Sequence, residues 1–94
     1  MANILDQLQA TIFDRKRHPR PDSYTNKLFE AGRGRIAQKV GEEAIEVIIA
    51  SLERDREAQI GEFCDLFYHT LVLMSDLDIT LDEVLAELER RHRR

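Results

Sequence analysis

The chain has one cysteine, two prolines and four glycines in 94 residues, and each scarcity narrows what it can be. A lone thiol, Cys64, excludes an intramolecular disulfide. So few Pro and Gly, beside a 34% charged fraction, suit a helical chain. No apolar run approaches the roughly 18 residues of a membrane span. No signal-peptide pattern opens the sequence, so the expected location is the cytoplasm. Cys and His do not cluster with zinc-ligand spacing. No low-complexity stretch occurs outside the arginine-rich end, Arg90 to Arg94, which reads as a frayed, soluble tail.

What remains is a length suited to one small domain over residues 1–94, with 43% apolar residues. A chain this short buries only roughly two-thirds of its unfolded surface, so pairing with another copy is a natural way to enlarge the core. The net charge of −4 conceals a segregation. Residues 1–41 carry eight Lys/Arg against four Asp/Glu, residues 42–89 fourteen acids against two arginines, and the last five residues four more arginines. An acidic centre flanked by basic segments suits a metal ion carried with an anionic substrate, and equally suits solvated helix surfaces. The acidic centre and the lack of a reader motif disfavour nucleic acid as a partner.

Hydrophobic periodicity predicts an all-α fold of four to five helices. The first runs from about Asn3 to Lys16 with a stripe of Ile4, Leu5, Leu8, Ile12 and Phe13. A loop follows, Arg15 to Pro21, dense in charge and holding both prolines. Asp22 or Ser23 can cap a short second helix that reaches Ala31, where Gly32-Arg-Gly34 stops it. The third is expected from about Arg35 to Leu52 or Glu53, burying Ile36, Val40, Ala44, Val47 and Ile48; its Val47-Ile-Ile49 run alone would also suit a strand. The fourth spans about Arg56 to Ser75 on Ile60, Phe63, Phe67, Leu71 and Met74. The fifth follows Thr80-Leu-Asp-Glu83, which has the form of a capping box, and carries Leu81, Val84, Leu85 and Leu88.

Two acidic pairs of equal spacing lie on the third and fourth helices: Glu43 with Glu46, and Glu62 with Asp65. Residues three apart are neighbours on a helix surface, so each pair shares a face. At about 100° per residue, Lys39, Glu43 and Glu46 fall within roughly 60° of one another, as do Glu62, Asp65 and His69. Glu42 sits at the margin of its face, and Cys64 points toward the apolar side. Packing the two helices together would gather four carboxylates. Hard oxygen ligands select Mg²⁺, Mn²⁺ or Ca²⁺ over zinc, and Mg²⁺ commonly bridges one or two carboxylates to substrate phosphates. The plainer reading is that these acids solvate amphipathic helices. Gly41 and Gly61 precede the two clusters inside their helices, at about 1 kcal/mol each relative to Ala. Close helix packing or room for a ligand would account for them.

The pattern Glu42-Glu43-x-x-Glu46 with Glu62-x-x-Asp65 resembles the metal motif of the MazG-like all-α nucleoside triphosphate pyrophosphohydrolases. Within that superfamily, Ser23-Tyr-Thr25, Gly32, Lys39-Val-Gly-Glu-Glu-Ala44 and Asp65-Leu-Phe-Tyr-His69 are similar to the phosphoribosyl-ATP pyrophosphohydrolases of histidine biosynthesis. The resemblance covers nearly the whole chain. It implies Mg²⁺-dependent hydrolysis of phosphoribosyl-ATP to phosphoribosyl-AMP and pyrophosphate, the second step of histidine biosynthesis, by a homodimer or higher homo-oligomer. Carried over residue by residue, it makes Glu43, Glu46, Glu62 and Asp65 metal ligands, and Glu42 a ligand or the base that orients water. Lys39 would hold a substrate phosphate, and Ser23, Tyr24, Thr25 and His69 would line the substrate site. The cyclohydrolase fused to some members is absent, so a stand-alone form is expected. Arg15, Lys16, Arg17 and Arg20 either meet substrate phosphates or form a solvated loop. Two rivals stay open, a house-cleaning enzyme acting on ordinary nucleoside triphosphates and a non-catalytic helical interaction module.

Overall fold

Five helices form, each started by a side chain or turn that its sequence supplies. The computed structural model describes residues 3–93: α1 (Ile4–Arg17), α2 (Tyr24–Ala31), α3 (Arg33–Ser51), α4 (Arg56–Asp76) and α5 (Leu81–His92). The expected all-α class is found, and Val47-Ile-Ile49 is helical. At α1, Asn3 and Asp6 make a reciprocal capping box, and Arg15, Lys16 and Arg17 in the last turn suit the negative end of the helix dipole. Ser23 Oγ accepts the Asn26 N–H to start α2, and Asp55 caps α4. The expected box at Thr80 and Glu83 is present.

Gly32 ends α2 and starts α3 in one residue. Its φ of +96° is open to glycine at little cost, and its N–H reaches the carbonyls of Leu28 and Phe29 while its own carbonyl accepts from Ile36. The break is therefore one residue long: Gly34, expected to belong to the stop, lies in the first turn of α3. The end of α4 is held by two cations from other helices. Lys16 Nζ donates to the Ser75 carbonyl at 2.8 Å and pairs with Asp78, and Arg33 donates to the Asp76 carboxylate and carbonyl. Lys16 thus serves the fold, and Arg15 pairs with Asp14.

The buried core takes residues from all five helices: Ile12, Leu28, Ile36, Leu71, Val72 and Leu81. The short 52–55 connection returns α4 alongside α3, and these two helices make the main packing contact. Asn26, also buried, ties down the loop between α1 and α2. It donates to the Arg15 carbonyl and accepts the Arg20 N–H, both at 2.7 Å.

The apolar stripes have the expected period but are not all covered. Ile48, Ile60, Phe63 and Phe67, expected in the core, are 59%, 54%, 48% and 50% exposed. Ile4, Val84, Leu85 and Leu88 are also exposed. Periodicity tells which residues share a face, and the partner that covers the face is a separate matter. Cys64, expected toward the core, is exposed for the same reason: that end of α4 has no helix of this chain over its apolar side. Gly41 and Gly61 are not at tight crossings, since a Cβ on either would meet nothing within 4 Å. The basic end is helical as far as His92, with Arg90 and Arg91 gripping Glu87, whose carboxyl they pull down to about 2. Arg94 lies outside the described residues.

Ile36 is fully buried at the centre of the core. Ile36→Ala should therefore lower unfolding stability by about 2–5 kcal/mol in urea titrations. A loss below about 1 kcal/mol would mean that this contact is not central.

Candidate functional site

α3 and α4 carry the acids, and their packing decides which of them meet. Glu43 of α3 and Glu62 and Asp65 of α4 come together, each offering a carboxylate oxygen within 4.8 Å of the others. Glu43 and Glu62 are partly buried and Asp65 is exposed. Glu46 and Glu42, expected with them, fall outside this trio. Glu46 is exposed one turn along α3 from Glu43, close enough for its charge to act on Glu62. Glu42 turns toward the rim of the face, accepting from Gln38 at 2.9 Å and pairing with Lys39 at 3.5 Å and Arg35 at 3.7 Å. The Gln38 hydrogen bond, helped by the two cations, lowers its carboxyl below the ordinary value.

Glu62 shows what the assembly costs. Desolvation and then the charges of Asp65, Glu46 and Glu43 push its carboxyl above the usual range. Lys39 relieves part of this from the α3 side, 3.3 Å from Glu43. Desolvation works against the Lys39 ammonium, yet its hydrogen bond to Glu43 and the surrounding negative charge raise it above the ordinary lysine value.

The trio fits a hard divalent cation. Its donors are all carboxylate oxygens from two helices. An ion with bonds of roughly 2.1 Å spans oxygens up to roughly 4.2 Å apart, a closure that side-chain rotation can supply. It would also neutralise the repulsion that lifts Glu62. Lys39, at the edge of the same face, adds a positive charge suited to phosphate oxygens.

The other expected site residues divide sharply by exposure. Ser23 Oγ is spent on capping α2. Thr25 is buried and hydrogen-bonded to the Tyr68 hydroxyl. His69 is buried, with Nε2 3.0 Å from the Tyr24 hydroxyl and Nδ1 2.7 Å from the Asp65 carbonyl oxygen. Tyr24 alone of these four is half exposed. Sequence reasoning missed Tyr68 and Asn26, because no local spacing pairs residues 43 positions apart or foretells which loop carbonyl an amide will reach. The contact from Gln38 to Glu42 was legible as an (i, i+4) pair.

Residues 5–92 match the family model described as phosphoribosyl-ATP pyrophosphohydrolase. The chain is 45% identical over 92 residues to a phosphoribosyl-ATP pyrophosphatase of Bacillus thuringiensis (strain Al Hakam), covering 98% of this chain and 86% of that protein. It is 50% identical over 92 residues to the enzyme of the same name from Clostridium botulinum (strain Hall), covering 98% and 84%. It also matches a histidine biosynthesis bifunctional protein of Gloeobacter violaceus at 45% identity, there covering 41% of the longer chain.

Removing one charge from the trio separates its cost from its use. In EDTA at neutral pH, Glu62→Gln should raise the thermal midpoint, and it should abolish any further rise on adding Mg²⁺. Thermal scans of both proteins with and without Mg²⁺ check this; an undiminished Mg²⁺ response in the variant would exclude Glu62 as a ligand.

Proposed function

Since this chain belongs to the phosphoribosyl-ATP pyrophosphohydrolase family, we infer that the face shared by α3 and α4 is where its reaction occurs. The protein hydrolyses phosphoribosyl-ATP to phosphoribosyl-AMP and pyrophosphate, a step of histidine biosynthesis. Water adds to phosphorus and the anhydride between the α and β phosphates breaks, with pyrophosphate as the leaving group. The observation that carries the site assignment is the convergence of Glu43, Glu62 and Asp65 from two helices.

In this reading these three carboxylates hold Mg²⁺, with Glu46 as a fourth donor from the adjoining turn of α3. The ion supplies positive charge to phosphate oxygens and acts as a Lewis acid. Lys39 adds a fixed positive charge at the rim and takes a substrate phosphate. Glu42, kept ionised by Gln38, Lys39 and Arg35, orients the attacking water. Partial burial of Glu43 and Glu62 limits competition from bulk water. Among the described residues no helix is long and apolar enough to cross a membrane.

A second copy of the chain completes the fold. Ile45, Ile48, Ile49 and Leu52 make one exposed stripe at the end of α3, and Ile60, Phe63 and Phe67 another at the start of α4. The two flank the same short connection and form more apolar surface than scattered exposed residues do. Both run beside the carboxylate face, so covering them with a partner also stiffens the helices that aim the acids.

Pyrophosphate release from phosphoribosyl-ATP should be fast with Mg²⁺ and abolished by EDTA, while ordinary nucleoside triphosphates are poor substrates. Glu43→Gln and Asp65→Asn should each lower kcat by at least about a hundredfold, the scale of a lost electrostatic contact to the reacting group, with helical circular dichroism unchanged. Wild-type rates in both variants would rule out the site. Light scattering tests the interface: Ile48→Glu should shift a homo-oligomer toward monomer, and a monomeric wild type at tens of micromolar would refute it.

A further inference from the structure

Tyr24, Thr25, Tyr68 and His69 form one connected cluster between α2 and α4, directly behind Asp65. Both ring nitrogens of His69 are committed. Nδ1 faces the Asp65 carbonyl oxygen, which can only accept, so Nδ1 carries the proton. In the neutral ring Nε2 is then the acceptor, and the Tyr24 hydroxyl donates its single proton to it. The surrounding rings hold this arrangement. Tyr24 stacks on Tyr68 with centroids 6.2 Å apart and meets the His69 ring edge-on at 5.8 Å, while Tyr68 is bonded in turn to Thr25.

The consequence is chemical. A tyrosine hydroxyl ordinarily donates to phosphate oxygens, but here the proton is spent on a buried histidine. The oxygen keeps lone pairs for another donor, on a residue that is 49% exposed. Phosphate oxygens are acceptors and gain nothing from it; a sugar hydroxyl or a ring amine does. Its position is also suitable, since Tyr24 is bonded to His69, which in turn is bonded to the Asp65 backbone.

Building on the functional reading above, we propose that Tyr24 is a fixed hydrogen-bond acceptor for a hydroxyl or amine donor of the bound nucleotide. In the same proposal His69 is the positioning residue that holds Tyr24 in that state. The phosphates are thereby left to Lys39 and the carboxylates. His69 does not touch substrate.

Tyr24→Phe keeps the ring and removes the oxygen, at the cost of the hydrogen bond to buried His69, so its fold is checked by helical circular dichroism. With phosphoribosyl-ATP it should raise KM about three- to tenfold, the worth of one neutral hydrogen bond, with kcat within about twofold. Inhibition by pyrophosphate with Mg²⁺ should change far less, because the fully ionised, metal-bound anion has no proton for Tyr24 to accept. His69→Asn should raise KM in the wild type and add nothing further in the Tyr24→Phe background, the signature of action through that residue. An independent readout on the unaltered protein, ¹⁵N NMR of the His69 ring, should give the Nδ1–H tautomer. An unchanged KM in Tyr24→Phe would overturn the proposal, as would an equal weakening of pyrophosphate or an Nε2–H ring. A wild type inactive on phosphoribosyl-ATP would instead sink the functional reading, while the NMR result would still report on the Tyr24–His69 pair.

Discussion

Everything at the candidate site depends on like charges being held together by helix packing. Glu43, Glu62 and Asp65 carry like charges at close range, and Glu62, its carboxyl raised first by desolvation, is raised further by the neighbouring charges. They stay close because α3 and α4 are fastened elsewhere, through Ile36, Leu71 and Val72 in the core and through Arg33 of α3 on Asp76 at the end of α4. The fold's apolar half thus supplies the constraint that its acidic half works against. In the proposed function a divalent cation would remove the conflict, linking the stability of the helix pair to the chemistry proposed for it.

The second constraint is an unfinished surface. The α3 and α4 stripes leave seven large apolar side chains at least 48% exposed around one connection, in a chain too small to spare them. A second copy is the occupant that suits both the pattern and the size. Residue positions on this half of α4 alternate between the apolar face and the acids, so the proposed interface and the candidate site would share a helix. Substitutions in one are expected to be felt in the other.

Much of the fold was legible in the sequence because its signals are local. Ser23 and Thr80 start helices where side-chain chemistry says they should, and the five apolar periods mark the helices to within about two residues. Most of the errors were not local. Gly34 reads as a helix stop, yet Gly32 alone makes the turn. Ile48, Phe63 and Phe67 read as core because a period names a face without naming its cover. At the site, the two acidic spacings pointed to facing pairs, but the relative rotation of α3 and α4 is a tertiary property. That rotation brings Glu43 to Glu62 and Asp65, and leaves Glu46 and Glu42 at the edge. Likewise, spacing aligned His69 with the acids, whereas its burial behind Tyr24 depends on where α2 lands.

The central claim, that one cation sits among the three converging carboxylates, is tested most directly by diffraction from crystals grown with Mn²⁺ in place of Mg²⁺. The account predicts an anomalous peak within coordination distance of Glu43, Glu62 and Asp65. A peak elsewhere on the chain, with none among these three in a preparation that still hydrolyses phosphoribosyl-ATP, would contradict it.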